Sequence, residues 1–359
     1  MKKISYLELS SILLCIIISF NCGINLSIIK NDCHVDAWIA IILSYIIGFI
    51  PLLLTIYISN YHEELNLFEK NKHLFGDYLG TFINLIISII FLIITISILY
   101  NTITFINSEF LYRTPQIISI ILLVSIIIYS NIKKINVITH TSFILVSFGI
   151  ILFILSNISL INEVNLDNLL PILKTNPINI LNSAIKLSII NTLPIIAILI
   201  IPKDKITNKK KYNKSLIITY IIGSIISTIT TINAISTLGI YLTNIFQYPE
   251  YIVLKRIKLF GFLERTENII ATIWITSSYI YMTILIYTIS KSIKKNNTYT
   301  YITIGIILII FTKYLFKNTI IFNKFIKTTY IYTVTVLIAI YIIICTTIYL
   351  KKCKIRKHV

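Results

Sequence analysis

Asn21-Cys22-Gly23-Ile24-Asn25 interrupts an apolar run over residues 9–30 that is otherwise long enough to cross a membrane as one helix. A glycine between two asparagines weakens a helix and exposes backbone polar groups. Unwound backbone at membrane depth is tolerated only where it is buried in protein or lines a cavity. We therefore interpret this stretch as a break in a spanning helix, with a tight helix crossing at Gly23 as the alternative.

The rest of the chain has the composition of a membrane protein. Of its 359 residues, 56% are hydrophobic and 13% charged, whereas soluble proteins carry about 25% charged residues. Only helices satisfy their own backbone groups in apolar runs of this length inside a bilayer. We predict an all-α polytopic membrane protein with one integral domain over residues 1–359. The predicted helices, about ten, are 9–30, 37–59, 82–107, 116–131, 139–159, 182–201, 215–240, 268–290, 299–316 and 329–350.

The chain is strongly basic, with a formal net charge of +18. Its lysines and arginines concentrate in short loops and the C-terminal tail, as the positive-inside rule predicts for a membrane protein. This pattern argues against nucleic acid as a partner and favours anionic lipid head groups of the bilayer. It also places both termini in the cytoplasm. We interpret Met1-Lys2-Lys3 and the run that follows as an uncleaved first helix.

A second interruption lies in the sixth predicted helix, at Asn191-Thr192-Leu193-Pro194. Proline removes a backbone hydrogen bond and kinks a helix. The interrupted first and sixth helices occupy corresponding places in two five-helix halves, which points to a substrate site at the membrane midplane. The alternative is an ordinary proline kink.

A polar island between the seventh and eighth predicted helices, residues 246–267, is unusual for a membrane protein. Glu264 and Glu267 lie three residues apart where a helix can begin, and carboxylates favour a helix N-terminus. Arg265 can pair with Glu250 or Glu267, and the alternative is a solvated amphipathic loop helix. No catalytic constellation, metal-ligand spacing or cofactor motif is visible, so we expect neither an enzyme nor a metal or cofactor site.

Several stretches along nearly the whole chain resemble the B-subunit family of spore germinant receptors, the endospore germination permeases. Their order and spacing carry the resemblance, and the island is its most specific part. In chain order they are Ile4-Ser5 with Leu9, Asp36-Ala37-Trp38-Ile39, Arg113-Thr114-Pro115, Asn168-Leu169-Leu170-Pro171, Pro202 with the lysine-rich loop after it, and Tyr248-Pro249-Glu250-Tyr251 through Phe262-Leu263-Glu264-Arg265 to Trp274.

The resemblance implies the amino acid–polyamine–organocation superfamily and a leucine-transporter-like fold of five plus five inverted helices with broken helices 1 and 6. It implies a subunit in the inner membrane of the spore that senses a small nutrient, often an amino acid, beside A-type and C-type receptor subunits. The candidate ligand-binding residues are Asn21, Cys22, Gly23, Ile24, Asn25, Tyr100, Thr104, Asn191, Thr192, Pro194, Thr276 and Tyr279. The family-motif and outer-loop residues are Asp36, Trp38, Pro249, Glu250, Tyr251, Glu264, Arg265, Glu267 and Trp274.

The chain also departs from the family pattern. Its first helix keeps only Gly23 of a glycine-rich motif, and Tyr281 stands where the family commonly has a lysine. An amino acid or organocation transporter of the same fold, and part of a nutrient-gated ion pathway, are the alternative functions that the sequence leaves open.

Overall fold

The computed structural model describes residues 3–255, 267–293 and 297–357. Within these ranges the chain is helical, and the extended pairing is confined to an isolated bridge between Ile4 and Ile206. The α-helices are α1 Tyr6–Ile18, α2 Asn25–Cys33, α3 Ala37–Ser59, α4 Leu67–Glu109, α5 Gln116–Ile132, α6 Ile135–Leu160, α7 Pro177–Thr192, α8 Lys209–Ile245, α9 Pro249–Lys255, α10 Glu267–Ser292, α11 Thr298–Leu315, α12 Thr319–Phe325 and α13 Ile331–Lys357.

The helices confirm the prediction of an all-α polytopic membrane protein. In the described ranges, eight helical stretches are long and apolar enough to cross a membrane, and α1 and α5 are shorter apolar helices. The first predicted span corresponds to α1 and α2, and the second, 37–59, has the bounds of α3. Helices α4 to α8, α10, α11 and α13 account for the remaining spans in order.

Both predicted interruptions are present. The first span stops at Ile18 and resumes at Asn25, and Gly23 in the gap has a φ of +78° that L side chains rarely adopt. The sixth span stops as an α-helix at Thr192 and continues as a tighter 3₁₀ helix over Leu193–Ile200. Proline at 194 cannot donate the next α-helical hydrogen bond, which accounts for the change of helix type.

The third span begins earlier than the predicted 82. Its helix α4 begins at Leu67, where the Asn66 side chain accepts hydrogen bonds from two backbone N–H groups and the Glu69 side chain caps the Asn66 N–H. Gly76, with φ +79°, then separates a polar first part from the apolar span. Counting apolar residues alone missed this first part, because its sequence is amphipathic rather than continuously apolar.

The last span is also extended toward the N-terminus. The basic segment before it, which was predicted as a loop, contains α12, and a π-helical turn over Ile326–Tyr330 joins α12 to α13. The predicted start at 329 therefore falls inside a continuous helical stretch.

Helix α1 lies at the centre of the bundle. Every residue from Leu9 to Ile18 is buried, as expected for a helix that is apolar on all sides. It packs against α6, α8, α10 and the 3₁₀ helix of the sixth span. The end of α1, where the first break begins, is thereby held between the elements that supply the candidate site.

The segment before α1 is tied to the loop after the sixth span. The Ile4 N–H donates to the Lys205 carbonyl, and the Thr207 N–H donates to the Ile4 carbonyl, each at 2.9 Å. Lys203 forms an ion pair with Glu63 at 2.6 Å. These contacts close the bundle at the end opposite the polar island.

Candidate functional site at the helix breaks

The backbone groups exposed by the first break are satisfied by side chains from other spans. The Trp274 indole Nε1–H donates to the Ser19 carbonyl at 2.7 Å. The Asn101 amide, from α4, donates to the Cys22 carbonyl at 3.3 Å. Asn25 begins α2 and donates its side-chain amide to Asn21 at 3.0 Å. The break is therefore a built feature, held by α4 and α10.

Gly23 is enclosed by the polar island. Its N–H donates to Glu250 Oε2 at 3.3 Å. An added Cβ at this position would lie 2.5 Å from the ring of Tyr248. Both the positive φ and this close approach require glycine here.

The Glu250 carboxylate is buried, with 2% of the residue exposed. Its second oxygen, Oε1, has no hydrogen-bond partner among the described residues. Burial raises the pKa of Glu250 to about 7, although the Gly23 N–H and the positive charge of Lys30 oppose the shift.

Lys30 itself donates to three main-chain carbonyls at the end of α8 and its continuation. Glu264 and Arg265, the latter an expected partner of Glu250 or Glu267, lie outside the described residues.

Four buried aromatic rings surround this point and form the aromatic cluster Phe105, Tyr248, Tyr251 and Trp274. Phe105 lies at its centre, with ring centroids 5.0 Å from Tyr248, 5.0 Å from Tyr251 and 4.6 Å from Trp274. Edge-to-face pairs of this kind contribute about 0.5–1.5 kcal/mol each beyond buried area. Pro249, Glu250, Tyr251 and Trp274, which the sequence assigned to the family motif, thus meet at the first break. Glu267 begins α10.

The break in the sixth span carries the most unusual polar side chain of the site. Asn191 is 1% exposed, and neither its amide nitrogen nor its amide oxygen has a partner in the described part of the chain. Its neighbour Thr192 donates to the Ser188 carbonyl at 2.6 Å. The Tyr341 hydroxyl, from α13, donates to the Leu193 carbonyl at 3.3 Å, next to Pro194.

A small cavity lies beside the first break. It leaves about 40 Å³ for the centre of a water-sized sphere and is lined by Asn21, Cys22, Thr230 and Trp274 together with apolar side chains. A neighbouring cavity shares its apolar wall and includes Thr276. Buried space of this size holds only one or a few water molecules.

Two residues predicted to line the ligand wall face other helices. The Tyr100 ring lies between Phe316 and Phe322, with centroids 4.9 and 4.7 Å away. The Tyr279 hydroxyl forms a hydrogen bond with Ser130 of α5. Thr104 lies one helical turn after Tyr100 in the same span, and its hydroxyl is buried next to that of Tyr100.

Asp36 and Trp38 lie away from the breaks, at the start of the second span. Asp36 is fully buried and accepts hydrogen bonds from the N–H groups of Leu173 at 2.7 Å and Thr175 at 2.9 Å. It fixes the long loop before α7 to the bundle. The Trp38 indole nitrogen is buried and lacks a partner among the residues that the structure describes.

The sequence analysis missed Asn101, Tyr248 and Lys30. Asn101 is a buried asparagine in an apolar span, which is a signal of interhelical hydrogen bonding that was available in the sequence. Tyr248 was quoted as part of the island, but its contact with Gly23 depends on folding. Lys30 sits at the end of the first apolar run, where a lysine normally extends to the membrane surface.

Comparison with known proteins gives the family. The model of a spore germination protein family, the spore permeases, matches residues 3–321. YfkT of Bacillus subtilis (strain 168), a protein provisionally named for spore germination, is 27% identical over 242 residues, which is 67% of this chain. The match spans 65% of the length of that relative. With a family model that covers both helix breaks and the polar island, the chain belongs to the spore permease family of spore germination proteins.

Proposed function

We propose that this protein is a nutrient-sensing subunit of a spore germination receptor that binds a small ligand, most simply an amino acid, between its two helix breaks. The observation that supports this proposal is the buried side-chain amide of Asn191. A buried amide with both polar atoms unpaired among the described residues costs free energy, about 1–3 kcal/mol for each unsatisfied group. A ligand that pairs with this amide recovers that free energy and favours the arrangement in which it is bound.

The chemistry of the two breaks fits a zwitterion. Helix α2 begins at Asn25, and the N-terminus of a helix attracts a carboxylate. The break in the sixth span offers the amide oxygen of Asn191 as an acceptor for an ammonium group. Binding would stabilise one arrangement of the broken helices over another, and the partner subunits would respond to that population shift.

We further propose that the subunit lies in the inner membrane of the spore with both termini in the cytoplasm, beside A-type and C-type receptor subunits. It binds its ligand without chemical conversion. The excess of lysine in the loops that share a side with the termini supports this orientation.

The test is germination of spores that carry Asn191→Ala, across single amino acids and nucleosides at graded concentrations. We expect a weaker response to one nutrient, with its dose curve shifted to higher concentration and the other responses unchanged. Asn131→Ala is the matched control, because Asn131 is a buried asparagine of α5 that already donates to the carbonyl of its own helix at 3.0 Å. Equal effects of the two variants would contradict a ligand role for Asn191. Normal germination of spores that lack the protein would contradict the receptor role.

The broken helices are equally compatible with transport, so uptake separates the two functions. Purified protein in liposomes that concentrates the active nutrient, with uptake lost in Asn191→Ala, would favour a transporter. Saturable binding without uptake is the result that we expect. Nutrient-dependent conductance of the complete receptor complex would instead favour an ion pathway.

A further inference from the structure

A third cavity adjoins Glu250 between α6, α8 and α9, and it shares Thr230 and two apolar wall residues with the cavity beside the first break. It leaves about 10 Å³ for the centre of a water-sized sphere, close to the minimum that holds one water molecule or one ion of similar size. Its polar lining comes from Glu250, from Ser156 and Asn157 of α6, and from Thr230 and Asn233 of α8. The cavity borders the space beside the first break, its lining includes neither Asn21 nor Asn191, and it is too small for an amino acid.

The hydroxyl groups that line this cavity present oxygen lone pairs. Ser156 donates its proton to a carbonyl of α6 at 2.8 Å, and Thr230 donates its proton to a carbonyl of α8 at 2.7 Å. Each hydroxyl has a single proton. The oxygen atoms therefore remain available only as acceptors or as ligands of a cation.

The side-chain amide nitrogens of the lining, like the hydroxyl groups, donate to oxygen atoms within the protein. Asn157 donates to a main-chain carbonyl of α6 at 2.7 Å, and Asn233 donates to the Asn157 side-chain oxygen at 2.7 Å. Glu250 adds a carboxylate oxygen, Oε1, which is buried and unpaired among the described residues. A buried carboxylate needs a proton, a cation or a dense set of hydrogen bonds.

Lys30 does not supply that cation. Its ammonium group donates to the carbonyls of Thr243, Asn244 and Phe246 at 3.3, 2.9 and 3.0 Å. No ion pair between Lys30 and Glu250 occurs within the described ranges, although the two charges are close enough to interact. Glu109, another carboxylate near Cys22 and Tyr248, is already paired with Lys255 at 2.5 Å.

We propose that the cavity beside Glu250 is a binding site for one small monovalent cation, held by the Glu250 carboxylate and the surrounding hydroxyl and amide oxygens. A single carboxylate balances a single charge, and hard cations prefer oxygen ligands. The described residues contain no group of three His, Cys, Asp or Glu side chains that could hold a metal ion, and the single carboxylate of this cavity would leave the second charge of a divalent ion unbalanced. The positive charge of Lys30 opposes binding of a cation and weakens the affinity.

The bound ion would act on the first helix break. Glu250 Oε2 accepts from the Gly23 N–H and the Glu250 side chain lines the cavity, so one carboxylate would join the ion to the break. Occupancy of the cavity would hold Glu250 ionised and keep the hydrogen bond to Gly23 charge-assisted and strong. Sodium, potassium and ammonium ions share the required chemistry.

The experiment measures thermal unfolding of the purified full-length protein in detergent in sodium, potassium or ammonium chloride. N-methyl-D-glucamine chloride, whose cation is too large for the cavity, keeps the ionic strength constant. We expect at least one small cation to raise the midpoint by several degrees, with saturation at millimolar concentration. Glu250→Gln should abolish the rise, because it keeps the shape of the side chain and removes the charge. Glu109→Gln is the matched control and should retain the rise.

Binding of radioactive sodium or rubidium to the wild-type protein provides a second readout that does not depend on folding of a variant. We expect saturable binding of one ion per chain, displaced by the cation that stabilises most. Three results would overturn the proposal: equal midpoints in all salts, a cation effect that Glu250→Gln retains, or no saturable binding. A midpoint that responds to pH but to none of the cations would assign the cavity to a protonated carboxyl instead. None of these measurements involves a nutrient, so their failure would leave the proposed receptor function untouched.

Discussion

The Gly23 N–H donates to the buried carboxylate of Glu250 at 3.3 Å across 227 positions of sequence. This contact joins the break in the first span to the polar island before α10. Tyr248 packs on the same glycine from the island side. The two features that distinguish the sequence from an ordinary membrane protein are therefore one structural unit.

Substitution of Gly23 by alanine tests how tightly that unit is packed. Gly23→Ala should destabilise the protein for two reasons: a left-handed φ costs about 1–2 kcal/mol for a non-glycine residue, and overpacking against Tyr248 costs about 1–3 kcal/mol more. Thermal unfolding of the purified protein measures the sum.

Gly76→Ala separates these two contributions. Gly76 has nearly the same φ, +79°, but an added Cβ there meets no atom within 4 Å. The Gly76→Ala variant should therefore lose only the stability that depends on the backbone conformation. Equal destabilisation by the two substitutions would show that the Tyr248 ring moves away freely and that the packing at the break is loose.

Trp274→Phe tests the capping of the first break. The variant keeps a ring in the aromatic cluster and removes the indole donor to the Ser19 carbonyl. Leaving that buried carbonyl unpaired should cost about 1–3 kcal/mol. The unfolding midpoint followed by circular dichroism measures the loss.

The chain's other tryptophan is a natural control for this experiment. The Trp38 indole nitrogen is buried with no partner in the described part of the chain, so Trp38→Phe removes a polar atom that makes no hydrogen bond. We expect it to be neutral or slightly stabilising. A larger loss for Trp38→Phe than for Trp274→Phe would contradict the role assigned to the hydrogen bond with Ser19.

Asp36→Asn tests the attachment of the loop before α7. The buried carboxylate accepts from two backbone N–H groups, of Leu173 and Thr175, whereas asparagine offers only one acceptor oxygen. Loss of a hydrogen bond to a charged group costs about 1.5–3 kcal/mol. We expect faster cleavage of residues 161–176 by added protease. Asp167→Asn, at an exposed position of the same loop, should leave the cleavage rate unchanged; if it accelerates cleavage as much, Asp36 is not the anchor.

The sequence was sufficient for the features that depend on local chemistry. Gly23 and Pro194 each disrupt hydrogen bonding within their own helix, so both breaks could be predicted without knowing their neighbours. The bounds of α3 follow from a continuous apolar run. The start of α4 could not be predicted in this way. The helix begins after the Asn66 and Glu69 cap with an amphipathic segment, which a search for continuous apolar runs does not detect.

The parts that could not be predicted depend on contacts between distant spans. Tyr100 and Tyr279 lie in helices with apolar residues on every side, so the sequence pattern does not indicate which face points inward. The partner of Glu250 is a backbone N–H, and no sequence pattern marks a backbone group as a partner. The lack of a partner for the Asn191 amide among the described residues depends on how several spans pack together, which no local sequence pattern specifies.

The pKa of Glu250 predicts a pH dependence of stability. Burial raises this pKa from 4.5 to about 7, so the folded protein binds a proton that the unfolded chain releases between these values. The resulting stabilisation is complete below about pH 4.5 and is lost as the pH rises through 7. In N-methyl-D-glucamine chloride, the unfolding midpoint of the wild type should therefore fall between pH 5 and pH 8 relative to that of Glu250→Gln.

Glu109→Gln should follow the wild type, because it leaves Glu250 and Lys30 in place. A constant difference between wild type and Glu250→Gln across this range would show that Glu250 does not change its protonation there. A stabilising cation should reduce the slope of the unfolding midpoint against pH. Near pH 8, where Glu250 has lost its proton, the bound ion would stabilise the buried carboxylate instead.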